Sequence, residues 1–313
     1  MKSASASGAK RASRVKPDLY QVVTDRLIAH LEAGTAPWHR PWNQYGLARN
    51  YATGHVYTGI NAFLLNFFPS FDLPCYMTYK QAQSMGGQVR KGSKAETVYF
   101  FKTLYKDVDG KTLKPQQAEA SSKAGKVVQV IPMPRTFHLF NVADIDGIDF
   151  EFPEIKENPN SPIQQCDDFV ATFYQAPEVL HDNLDEAFYS VTYDRINMPP
   201  LPRFHAPEAY YKTLFHEMTH ATGSAGRLKR PGITLPAEQR RPGSATYALE
   251  ELTAELGAAY LCQIAGISSQ PLEENAAAYL EGYLMHLRKD KKFLFQAASA
   301  AQKAVDFLLK EKD

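Results

Sequence analysis

His216 and His220 stand four residues apart in "AYYKTLFHEMTHATG" (209–223), with Glu217 directly after the first. On an α-helix, side chains at i and i+4 lie one above the other on one face, so the two imidazoles can offer nitrogens to a single ion. Glu217 is rotated about 100° around the axis and cannot be a third ligand in that geometry. It can lean over the open coordination position and take a proton from a metal-bound water, which is the mechanical content of His-Glu-x-x-His. Two histidines that merely share a helix face would give the same three letters.

A catalytic zinc takes three protein ligands and one water. The next helical pattern downstream, "TYALEELTAELGAAYL" (246–261), carries Glu250, Glu251 and Glu255 beside an apolar stripe of Leu249, Leu252, Leu256 and Ala259. Glu251 and Glu255 share a face at i, i+4. One can bind the metal while the other accepts a hydrogen bond from a ligating histidine. A carboxylate within so apolar a segment needs a partner. Glu250 points elsewhere on this register and reads as a solvated surface residue. Two imidazoles and one carboxylate favour Zn²⁺, without excluding Mn²⁺ or another divalent ion.

Elements must position these groups. "KPDLYQVVTDRLIAHLEAG" reads as a helix capped by Asp18, striped by Leu19, Val22, Val23, Leu27 and Leu31, and stopped by Gly34. "MTYKQAQSMGG" reads as a short helix capped by Thr78, and "QVRKGSKAETVYFFKTLY" as a basic turn entering a strand. "VVQVIP" and "RTFHLFNV" return as strands, with the polar stretch 107–126 as a flexible loop inside the hairpin. Residues 151–165, with three prolines, read as a linker. Beyond it, "CDDFVATFYQAP" reads as a helix and "AFYSVTYDRINMPP" as two short strands. Helical patterns follow at about 207–222, 246–265 and 275–311, the last broken near Lys289–Lys291. The expected fold class is α+β with two domains: a basic disordered tail (1–16), an α+β domain (17–150), the linker, and a mainly helical domain with a small antiparallel sheet (166–313). The linker leaves each half enough residues for its own core.

The charge divides along the same line. Residues 1–150 carry 19 Lys and Arg against 11 Asp and Glu, and residues 151–313 carry 16 against 23. Such asymmetry points to a polyanion as partner of the first half. Single strands are held by basic grooves and by aromatic faces on which bases stack. Trp38 and Trp42 lie beside His39, Arg40 and Arg49, while Lys80, Arg90, Lys91, Lys94 and Lys102 gather around "GGQVRKGSK". A buried tryptophan and a solvated turn would account for the same letters. Phe63, Phe67, Phe68 and Phe71 read as core. Cys75, Cys166 and Cys262 form no Cys-x-x-Cys pair, which fits a reducing cytoplasm. The first residues have no apolar run of a secretory signal, and no stretch is apolar enough to span a membrane.

"HEMTH" followed by a helix with Glu-x-x-x-Glu resembles the zincin metallopeptidases. That resemblance implies Glu251 as the metal ligand and Glu255 as the hydrogen-bonding carboxylate, with Glu255 as ligand the alternative. "AYYKTLFHEMTHATG", "YALEELTAELGAAYLC" and "ENAAAYLEGYLMHLRKD", with "WHRPWN", "YTGINAFLL" and "MTYKQAQSMGGQVRKGSKAETVYFF", resemble the ArdC-type antirestriction proteins of conjugative plasmids over nearly the whole chain. Two positions depart from that pattern: Ser224 stands where a histidine is expected, and Cys75-Tyr76 where a tryptophan is. The family implies a domain binding single-stranded DNA without sequence preference, followed by a metallopeptidase domain of unknown protein substrate. It implies protection of incoming plasmid DNA from restriction in the cytoplasm of the recipient cell. A DNA-binding protein with a structural metal, or a peptidase cleaving a regulator, remain as alternatives.

Overall fold

Asp18 begins the first helix as expected: its carboxylate accepts the backbone N–H groups of Tyr20 and Gln21 at 3.0 and 3.4 Å. The computed structural model describes residues 18–34, 36–39, 46–69, 71, 73–152, 162–181, 186–267 and 276–311. The 1–16 tail therefore lies outside the described residues, as do Arg40, Trp42 and residues 153–161 of the linker.

In the first half, α1 (Leu19–Glu32) comes first and α2 (Gly59–Phe67) packs against a five-stranded sheet. Its strands are β1 (Arg49–Asn50), β2 (Cys75–Thr78), β4 (Glu96–Lys106), β5 (Thr112–Leu113) and β6 (Gln129–Asn141), in the order β1-β2-β6-β4-β5. The β4–β6 hairpin is its backbone, paired from Glu96↔Leu139 to Lys106↔Gln129. Helix α3 (Tyr79–Ser84) starts with a capping box: Thr78 and Gln81 satisfy each other's backbone donors. A small ribbon joins β3 (Gln88–Val89) to β7 (Ile145–Asp146). The 107–126 stretch is not a structureless loop. It holds β5 and α4 (Pro115–Lys123), a helix with proline in its first turn and only Ala118 buried. A helix so polar all round carries no hydrophobic period to read.

In the second half, α5 (Pro162–Ala171) takes in the last residues of the expected linker. Strands β8 (Glu178–Leu180), β9 (Phe188–Ser190) and β10 (Arg195–Asn197) form a sheet in the order β8-β10-β9, with β8 parallel and β9 antiparallel to β10. Helices α6 (Pro207–Ala221), α7 (Pro231–Thr234), α8 (Ala245–Ala265), α9 (Ala276–Lys289) and α10 (Phe293–Leu308) complete it.

The main core does not stop at the linker. One buried cluster runs from Val23, Leu27, Trp38 and Phe63 of the first half to Tyr260, Tyr283, Phe293 and Ala297 of the second. Phe67 stacks on Tyr260, with ring centroids 6.1 Å apart and planes 13° apart. The Tyr260 hydroxyl donates to the Gly59 carbonyl at 3.0 Å, and the Gly59 N–H donates to Gln302 at 2.9 Å. Trp38 is part of this core, 1% exposed, between Phe63 and Tyr283. It is not a stacking platform, which corrects the expectation from its basic neighbours. Tyr76, at the departing position, is also core, and its hydroxyl donates to the Leu65 carbonyl at 2.9 Å. Among the described residues, no helix is long and apolar enough to cross a membrane.

Candidate metal centre

Helices α6 and α8 pack side by side. At Gly257 of α8 a Cβ would lie 2.6 Å from both Cγ2 and Oγ1 of Thr219 of α6. The absence of a side chain there lets the helices approach closely enough for Glu251, a turn and a half earlier, to face the histidines. The Nε2 atoms of His216 and His220 are 3.1 Å apart. Glu251 presents Oε2 at 3.7 Å from the first and Oε1 at 3.7 Å from the second. An ion about 2.1 Å from each of three tetrahedral donors spaces them about 3.4 Å apart. The three donors therefore fit a divalent ion, and the three residues form the one such cluster found among the described residues.

The rear of each imidazole is also occupied. His220 Nδ1 lies 3.1 Å from Glu250 Oε1, and His216 Nδ1 lies 3.4 Å from Glu255 Oε1. An Nδ1–H donated to a carboxylate fixes the tautomer that leaves Nε2 bare for a metal. Glu255 thus stands behind His216, outside the cluster of three converging donors, on the side that the zincin resemblance implies for a hydrogen-bonding carboxylate. Glu250 is the correction. It is 5% exposed, not solvated. Arg230 donates to both its oxygens, at 2.9 and 2.7 Å, and also to Thr222 Oγ1 and the Thr219 carbonyl, each at 2.6 Å. The guanidinium thereby ties the end of α6 to α8. Gly232 abuts the same carboxylate side chain, since a Cβ there would come within 2.3 Å of Glu250 Cβ.

The charges are coupled. Burial alone would raise the Glu250 carboxyl, but hydrogen bonds from His220 and Arg230 outweigh it and hold it at about 2. Burial likewise opposes a charge on His216, yet hydrogen bonds to Glu251 and Glu255 prevail and lift it well above the usual imidazole range. Glu251 is held below the usual carboxylate range against its burial, chiefly by His216. Glu217 is 8% exposed and adjoins the centre without lying among the converging donors.

Ser224, the other departing position, sits in the turn after α6 and accepts a 2.8 Å hydrogen bond from Arg227. Arg227 also clamps Asp194 through two contacts of 2.6 and 3.0 Å.

Arg49, Lys80, Lys91, Lys94 and Lys102 are exposed. Arg90 bonds the Ala143 carbonyl and pairs with Asp144 at 3.4 Å and Asp146 at 3.8 Å, so the basic turn is partly neutralised by the ribbon behind it.

A two-histidine, one-glutamate centre on packed helices beside a small sheet defines a zincin-like metallopeptidase domain, and residues 165–300 match that family. Residues 17–140 match the N-terminal domain of anti-restriction factor ArdC. The crystal structure of the antirestriction protein ArdC from plasmid R388, in metal-free form, is 32% identical, with a TM-score of 0.70 over 93% of this chain and 96% of that one. Its Mn(II)-bound form has a TM-score of 0.67. An uncharacterised protein, y4eC of Sinorhizobium fredii, is 31% identical over 95% of this chain and 94% of its own length. Two DNA primases TraC of Escherichia coli are 35% and 33% identical, and the chain spans only 27% and 20% of their lengths. The chain belongs to the ArdC antirestriction family.

Proposed function

We propose that this protein binds single-stranded DNA and carries a working metallopeptidase centre, and that the two together shield incoming plasmid DNA from restriction in the recipient cell. His216, His220 and Glu251 hold one divalent ion. The donor set favours Zn²⁺, while the related R388 protein was crystallised with Mn(II). When bound, the ion supplies Lewis acidity toward a carbonyl and lowers the pKa of a water. Glu217 accepts the proton of the attacking water and returns it to the departing amine. Glu250 and Glu255 hold the imidazoles in register throughout.

The observation that carries this reading is the pairing of each imidazole with its own carboxylate behind three convergent donors. A site that only braces the fold has no need of an adjacent general base, and closes its fourth position with another ligand. The test compares protein abundance in recipient cells receiving wild type or Glu217→Ala. Depletion of a recipient protein by wild type alone is expected. Identical proteomes, with both proteins retaining metal and binding DNA, would leave a DNA-binding protein with a structural ion.

A further inference from the structure

Three cavities lie end to end across the seam between the halves. The first, about 490 Å³, is on one face of the β4–β6 hairpin, where Phe100, Lys102, Arg135 and Phe137 project to the same side. It shares His55 and Phe100 with the second, about 450 Å³, which reaches the start of α2 and α10. The second shares Tyr20, Phe295, Ser299 and Lys303 with the third, about 660 Å³, which ends at Lys229, Arg230 and Lys292.

The lining is one-sided in charge. It contains six basic residues and no carboxylate, in a chain with 35 basic and 34 acidic residues. Arg230 is committed to Glu250. Lys102, Arg135, Lys229 and Lys303 enter no ion pair among the described residues. The same track carries bare aromatic surface: Phe100 is 38% exposed and Phe137 45%, with ring centroids 5.4 Å apart at 86°. Exposed phenyl faces beside uncompensated cations match a ligand that offers flat apolar rings and phosphates in alternation. Duplex DNA keeps its base faces stacked inside and cannot use the phenyl rings.

We propose that single-stranded DNA lies along this seam, with bases against Phe100 and Phe137 and phosphates at Lys102, Arg135, Lys303 and Lys229. This rests on the single-strand reading above. It moves the site away from Trp38 and the 90–94 turn, and it makes the zincin-like half a part of the binding surface.

The test is fluorescence anisotropy of a labelled oligothymidylate with the full chain, across a salt series, using variants whose melting matches wild type. Lys102→Glu/Arg135→Glu should weaken binding about tenfold or more and flatten the salt slope by about 1.4, at about 0.7 per phosphate. Lys229→Glu/Lys303→Glu should do the same, although both residues lie beyond the linker. Phe100→Ala/Phe137→Ala should cost about fivefold or more with the slope unchanged, because stacking releases no counterions. Arg90→Glu/Lys91→Glu/Lys94→Glu should bind nearly as wild type. Wild-type affinity and slope in the Lys229→Glu/Lys303→Glu variant would overturn the seam, as would loss of binding in the turn variant alone. Preference for duplex over the single strand would overturn it too. A wild-type chain that binds no oligothymidylate would instead sink the single-strand reading itself.

Discussion

Glu250 and Glu255 make the same kind of contact to the two histidines, yet their surroundings differ. Glu255 is partly exposed and faces His216. Glu250 is buried against His220 and Arg230 together. Glu255→Ala should weaken metal binding about 10–100-fold with little change in the melting of the metal-free protein. Glu250→Ala should weaken metal binding on the same scale and, in addition, destabilise the metal-free protein by about 3–5 kcal/mol, because it strands a buried guanidinium. Glu251→Ala should lose the ion outright. Chelator competition and thermal melting, run on all three, separate these outcomes. Equal metal affinity in wild type and Glu251→Ala would remove Glu251 as a ligand. The two histidines were legible from spacing alone. The role of Glu250 was not, because its partner Arg230 lies twenty positions earlier in a loop, and no periodicity connects a loop arginine to a helix face.

Helices α6 and α8 were equally legible as elements, since each is long and cleanly bounded. The facing of α8 was harder to read. Its stretch from Leu252 to Gln263 is buried on nearly every side, so the stripe of Leu249, Leu252, Leu256 and Ala259 does not by itself mark the face that meets α6. The register is set instead by a close approach at Gly257. Gly257→Ala would overpack the contact with Thr219, at a cost of about 1–3 kcal/mol. It should also weaken metal binding, because Glu251 rides on the displaced helix. Thr219→Ala removes the obstructing atoms. The double variant should therefore recover part of both losses, a non-additivity that melting and metal titration would reveal. If the two changes simply add, the helix contact does not govern the centre. The polar helix α4 and the seam escaped the sequence for opposite reasons. One has no pattern, and the other draws Lys102, Arg135 and Lys303 from elements far apart in the chain.

Across the whole molecule, the halves are joined by more than a tether. Alongside the shared core, Thr24 donates to the Lys291 carbonyl at 2.9 Å and Arg288 pairs with Glu32 at 2.6 Å. Removing residues beyond 152 would bare the faces of α1 and α2 that now cover α9 and α10. A fragment of residues 1–152 should therefore aggregate or bind hydrophobic dyes, and the full chain should melt in one transition followed identically by fluorescence and circular dichroism. Chelation should lower that single transition rather than split it, since the ion adds its binding free energy to the whole folded state. Two separated transitions, or a soluble and cooperatively folding fragment, would show that the halves stand alone.

A core held in common also decides what can be inherited. Moving either half alone into another protein would expose the surface that the other covers, so the shared core favours transfer of the pair. The likeness to the far longer TraC primases takes in both halves, over 95% of this chain. Within such hosts the pair would travel as one cassette, and recombination between the halves would leave each with its share of the common core uncovered.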